Sequence, residues 1–132
     1  MTNDKDEIPC PMELAIQLIN KKWVIQIIRD MFFGKTHFSE FKEDKPGLSN
    51  KVLSGCLKNL EENGLIEKNI SDIDGVVDIS YNLTDHGRAL NKVIYELAMY
   101  TLNEDINNKI YDDEQKKEIG EYFRDKLNID DN

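Results

Sequence analysis

Apolar residues recur along this chain at helical spacing, then at strand spacing, then at helical spacing again. Met12, Leu14, Ala15, Ile16, Leu18 and Ile19 follow Cys10-Pro11. Proline costs no hydrogen bond at a first helical position, so a first helix is predicted from Cys10-Pro11. It is apolar on most sides, which places it at the centre of a core or in an oligomer interface. Trp23, Ile27, Ile28 and Met31 stand at i, i+4, i+5 and i+8. They predict a second helix over Trp23–Phe33 that stops at Gly34, with Trp23 in the core. Thr36–Lys42 reads as a short third helix with Phe38 and Phe41 on one side, followed by a turn through Pro46-Gly47. Ser49 is a good N-cap for a fourth helix that runs to about Glu62 and ends at Gly64.

The period then changes. Leu65–Ile70 alternates weakly, Asp72-Ile73-Asp74-Gly75 is a turn, and Val77, Ile79, Tyr81 and Leu83 are apolar at period two. This predicts a hairpin. Thr84 caps a long helix over Asp85–Asp105, with Leu90, Val93, Ile94, Leu97, Ala98 and Leu102 as its seam and Tyr95, Met99 and Tyr100 beyond it. Asn107-Asn108 breaks the pattern. A last amphipathic helix starts near Asp112, with Ile119, Tyr122, Phe123 and Leu127 on one face. That face is expected to pack on its own or a partner subunit. The expected fold is mainly α: a winged helix-turn-helix with a two-stranded antiparallel wing and extra N- and C-terminal helices for dimerisation. Residues 1–9 form a flexible tail, 10–105 the winged domain with its dimerisation helices, and 106–132 the C-terminal amphipathic helix.

With 132 residues the chain has the length of one domain. Apolar runs of three or four residues exclude a membrane span, and the acidic start has no apolar leader segment. Two cysteines are too few for a disulfide framework, so a cytoplasmic protein is expected. The net charge of −9 argues against a nucleic-acid partner. Its distribution argues the other way. Residues 21–60 hold eight lysines and arginines against four acids, with His37 in addition, while every other part of the chain is acidic.

The basic block contains the fourth helix. At roughly 100° per residue, Leu53, Leu57 and Leu60 share one side with Cys56 at the edge, while Lys51, Ser54, Gly55 and Lys58 lie opposite. Ser49 and Asn50 stand at the helix start, where backbone N–H groups and side chains can meet phosphates or base edges. Ser49, Asn50, Lys51, Ser54 and Lys58 are therefore the candidate DNA contacts, with Lys21, Lys22 and Lys35 as possible extensions of the basic face. His37, His86, Cys10 and Cys56 have no metal-ligand spacing, and no catalytic or phosphate-loop pattern is present. No enzyme activity and no cofactor are expected.

Cys10-Pro11, Lys22-Trp23, Phe38-Ser39-Glu40-Phe41, the run Pro46 to Ser54, the run Leu60 to Ile66 and Tyr81-Asn82-Leu83-Thr84-Asp85-His86-Gly87 together resemble the HxlR family of winged helix-turn-helix regulators. The resemblance spans about Cys10 to Tyr100. It implies a homodimeric, DNA-binding regulator of transcription, dimerised through the first helix and the long helix after the wing. Some members respond to electrophiles or oxidants through the cysteine that Cys10 matches, which marks Cys10 as a candidate redox sensor. At a helix start a thiolate is favoured, against the opposing charges of Glu7 and Glu13; the plainer role for Cys10 is packing. Cys56 reads as structural.

The chain departs from the family in two places. Gly55 and Cys56 stand where members carry a polar residue and an arginine. The hairpin carries Asp72, Asp74 and Asp78 where members tend to have an arginine. The reading is a transcriptional regulator that binds double-stranded DNA as a homodimer on a pseudo-palindromic operator, with an unspecified effector. The alternative is a winged-helix protein-interaction module that has lost specific DNA binding.

Overall fold

The computed structural model describes residues 8–130. Its elements are α1 (Pro11–Ile19), α2 (Val24–Phe32), α3 (Phe38–Lys42), α4 (Asn50–Glu62), β1 (Ile66–Ile73), β2 (Val76–Leu83), α5 (Asp85–Arg88), α6 (Asn91–Glu104) and α7 (Asp113–Lys126). This is the winged helix-turn-helix expected from the pattern: α3 and α4 joined by a turn, then a two-stranded antiparallel wing. The predicted tail falls mostly on residues 1–7, which lie outside the described residues.

The core is built where the helical stripes meet. Ile27 and Ile28 of α2, Phe41 of α3, Leu53, Leu57 and Leu60 of α4, Leu65, and Leu127 at the end of α7 are fully buried. Each such side chain contributes roughly 1.5–3 kcal/mol relative to an exposed position. α7 is part of this core, since Phe123, Leu127 and Ile129 all pack into it. Arg124 reaches across and donates to the Tyr95 hydroxyl on α6 at 2.9 Å. Tyr95 is therefore interior, not part of an outer face of α6.

The wing is longer and tighter than predicted. Eight residues pair on each side, from Ile66↔Leu83 to Ile73↔Val76, so only Asp74-Gly75 remain as the turn. Both have positive φ, 52° and 80°, the backbone of a two-residue type I′ hairpin, which Asp-Gly satisfies well. Ile73 belongs to the strand because its backbone is paired.

The long helix predicted over Asp85–Asp105 is two helices. Thr84 caps α5, accepting from the Gly87 N–H at 3.1 Å. Gly87 then presses on the start of the wing: a Cβ there would lie 2.1 Å from the Leu65 carbonyl oxygen. Asn91 ties the start of α6 to the Leu127 carbonyl at 2.9 Å. Between these two anchors Ala89 and Leu90 form a turn, with φ, ψ of −65°, −12° and −80°, 0°. Trp23 also departs from expectation. It precedes α2 in a left-handed conformation, φ 77°, and is only partly buried against the core.

Candidate nucleic-acid interface

α4 starts where the sequence predicts. The Ser49 Oγ accepts from the Val52 N–H at 3.1 Å, and the helix ends with Leu65 N–H bonded to the Leu60 carbonyl at 2.9 Å and Gly64 N–H to Glu61 at 3.0 Å. The leucine face and Cys56 are buried; Ser49, Asn50, Lys51, Ser54, Gly55 and Lys58 are exposed. The structure thus brings the five predicted contacts to one side of one helix. Ser49 spends one oxygen lone pair on the cap and keeps its hydroxyl proton for a partner. Asn50 accepts from Lys42 through Oδ1 and keeps its amide N–H groups. Among the described residues Lys51 and Lys58 make no ion pair, whereas Lys35 and Lys45 are both engaged with Asp44. Open cations on an otherwise acidic protein are the electrostatic feature that a phosphate backbone recognises.

The support for α4 is a charge cluster that sequence reading missed. Lys45, in the turn before α4, reaches back fifteen residues to Asp30 on α2, and both side chains are almost fully buried. Arg29 donates to the same Asp30 carboxylate from Nη2 at 3.0 Å and Nε at 3.2 Å. Lys45 also meets Asp44 at 2.8 Å. The Lys45 ammonium, with Lys35 behind it, holds the Asp44 carboxyl down at about 2. An aspartate within the apolar stripe of the second helix was the available signal. Its partner is invisible at that sequence distance.

The wing is fastened to the helix-turn-helix by His37. His37 is the N-cap residue of α3. Its Nε2 meets Asp78 Oδ1 at 3.0 Å and its Nδ1 meets Thr36 Oγ1 at 2.8 Å. The Tyr81 N–H donates to the Thr36 carbonyl at 2.8 Å, which adds a backbone link between the same segments. Glu40 accepts from the Thr36 and His37 N–H groups, and these bonds hold its carboxyl below the usual range. Asp78 is therefore paired at the surface with the helix-turn-helix, while Asp72 and Asp74 remain at the outer wing. Ile70, Ile73, Val76 and Val77 are also exposed there.

The two cysteines differ in kind. Cys56 is buried against the core, and that burial pushes its thiol up to about 11, so it is protonated and inert at neutral pH. Cys10 is half-buried at the N-cap of α1, its carbonyl accepting from the Leu14 N–H at 3.2 Å. No group of three or more His, Cys, Asp and Glu able to hold a metal occurs among the described residues. Nor is any helix there long and apolar enough to cross a membrane.

Known proteins share this arrangement. The chain is 37% identical over 92 residues to the HTH-type transcriptional regulator YodB of Bacillus subtilis, covering 69% of this chain and 81% of YodB. It is 36% identical over 92 residues to YvaP of the same organism, an uncharacterised HTH-type transcriptional regulator, covering 69% and 84%. The solved structure of reduced YodB superposes with a TM-score of 0.60 over 78% of this chain and 96% of that one, at 32% identity. The oxidised form of the redox regulator HypR superposes with a TM-score of 0.63 over 69% and 93%, at 26% identity. The family model for the HxlR-like helix-turn-helix matches residues 18–108. The open cationic helix, the wing and these likenesses converge: the chain belongs to the HxlR-like helix-turn-helix family.

Proposed function

We propose that this protein is a DNA-binding regulator of transcription that acts as a homodimer on a pseudo-palindromic operator. The observation that carries this reading is the face of α4. In a protein of net charge −9, Lys51 and Lys58 stand seven residues apart on one exposed helix face with no acid partner among the described residues. Ser49, Asn50 and Ser54 lie beside them as neutral donors for base edges and phosphates. The helix enters the major groove, and the outer wing, with Asp72 and Asp74, stays clear of the phosphates.

The dimer reading rests on apolar surface left open to water. α1 buries none of its residues fully, and Met12, Leu14 and Ile16 are exposed. On α6, Val93, Leu97 and Tyr100 form an exposed stripe at i, i+4 and i+7. A second copy covering these two helices removes both stripes and supplies the two-fold axis that a palindromic site needs. Cys10, half-buried at the start of α1, lies where modification would disturb that packing, so we assign it the redox-sensing role. HypR's description as a redox regulator is in keeping with this.

The test is a gel shift on the protein's own upstream region, with light scattering on the same sample. A two-chain species is expected, with specific retardation weakened by Lys51→Ala and Lys58→Ala and unchanged or strengthened by Asp74→Asn. Diamide is expected to change retardation by the parent protein and not by Cys10→Ser. A species of one chain, or retardation that is indifferent to both lysines, contradicts the reading.

A further inference from the structure

Beside Gly55 and Cys56, on the edge of the recognition helix, the surface is hollowed. The hollow is a groove of about 360 Å³ between α4 and the turn that leads into α2. Its floor is apolar, formed by Val24, Val52 and Cys56, and its rim carries Lys21 and Lys22. Nothing lies within 4 Å of where a Gly55 Cβ would stand, so the α4 side of the groove is open to an approaching molecule. Both lysines are exposed, and neither makes an ion pair among the described residues. Lys22 only rests its ammonium over the Trp23 ring, 5.4 Å from the centroid.

The lysine turn is held against the turn into α4. The Trp23 ring sits beside Gly47, where a Cβ would come 3.7 Å from Cζ2. The left-handed backbone at Trp23 is rare for an aromatic residue and separates Lys21 and Lys22, in the preceding turn, from the helix that starts at Val24. An apolar floor beneath two cations matches a deoxyribose with its phosphate: the sugar's C–H surface on Val52 and Cys56, the phosphate oxygens at the ammonium groups. The neutral Cys56 thiol brings no opposing charge to that floor.

We propose that Lys21 and Lys22, with the open surface at Gly55, form a seat for one deoxyribose-phosphate of the DNA backbone beside the recognition helix, held from the turn before α2. The proposal rests on the DNA-binding reading above. The seat fixes the depth and angle of α4 in the groove and carries no sequence information of its own.

The experiment measures affinity against salt for a duplex selected from a random pool by the parent protein. Lys21→Ala/Lys22→Ala, Gly55→Leu, Lys51→Ala and the remote Lys117→Ala are compared. Each lost lysine–phosphate contact lowers the log–log slope by about 0.9. A dimer using both seats, one phosphate at each, should therefore lose about 2 in slope with the double variant. Gly55→Leu, filling the seat, should weaken binding at least about tenfold, about 1.4 kcal/mol, with the melting temperature unchanged or raised. Lys117→Ala should leave the slope alone. If the double variant matches the parent while Lys51→Ala flattens the slope, the seat is wrong and the DNA reading stands. If the parent selects no duplex, both fall. A seat for a free small anion instead would give a melting temperature raised by millimolar inorganic phosphate without DNA, and a slope indifferent to both lysines; that also overturns the proposal.

Discussion

The buried contact between Asp30 and Lys45 makes a quantitative demand. Asp30→Ala removes the carboxylate from an ammonium that is 3% exposed and leaves Arg29, at 31% exposure, facing an empty position. Removing one member of a buried ion pair costs about 3–5 kcal/mol, mostly the penalty of the charge left behind. Here Lys45 keeps Asp44 at 2.8 Å, so the expected loss lies at the lower end, about 3 kcal/mol. Unfolding entropy near 2.1 cal/mol/K per residue gives about 0.28 kcal/mol/K for 132 residues, so the melting temperature should fall by about 11 °C. Lys45→Ala should cost a similar amount by stranding Asp30. Asp30→Leu/Lys45→Met replaces both charges with apolar groups and should recover most of the loss. Thermal unfolding followed by circular dichroism, at one fixed protein concentration because dimerisation couples to stability, measures all three. Single variants that melt within about 3 °C of the parent, or a double variant that loses the sum of the two, would refute the claim that this pair fastens the turn before α4 to α2.

Three further outcomes follow from the packing and the charges. Gly87→Ala drives a Cβ to 2.1 Å from the Leu65 carbonyl oxygen and should cost at least about 1–3 kcal/mol by denaturant unfolding, against little effect for Gly55→Ala, where the space is open. Asp44 titrates at about 2 in the folded chain against an ordinary 3.8, so its contribution is full above pH 3.8 and lost as pH falls through 2. Asp44→Asn should flatten the acid limb of the stability curve between those values and lower stability at pH 7, only modestly because the side chain is 58% exposed. Cys56, buried with its thiol pushed up to about 11, should resist alkylation at pH 8 until the protein is unfolded, which mass spectrometry of peptides reads directly.

Local signals were legible in the sequence. Ser49 caps α4, Gly34 and Gly64 close their helices, and the leucine spacing of α4 separates its buried side from its exposed one. These depend on residues within a turn or two of each other. What stayed hidden depends on contacts across the fold. The break at Ala89-Leu90 lies between the contact of Gly87 with Leu65 and that of Asn91 with Leu127, neither of which a local period reveals. The Asp30–Lys45 pair and the His37–Asp78 link join positions fifteen and forty-one residues apart. The role of Asp78 changed for the same reason: as a sequence position it is one more acid in the wing, and in the fold it is the partner of a histidine. Trp23 showed its aromatic character to the sequence and its left-handed backbone only to the structure.

The central claim is that two copies of this chain present their α4 helices to successive major grooves on one side of the duplex. Hydroxyl-radical footprinting of the parent protein on its selected operator tests it most directly. Two-fold symmetry with recognition helices about 34 Å apart requires two protected patches, about 10 base pairs from centre to centre and related by the palindrome. Lys51→Ala should weaken both patches equally. A single patch, protection without two-fold symmetry, or a footprint that survives loss of both Lys51 and Lys58 would contradict the account.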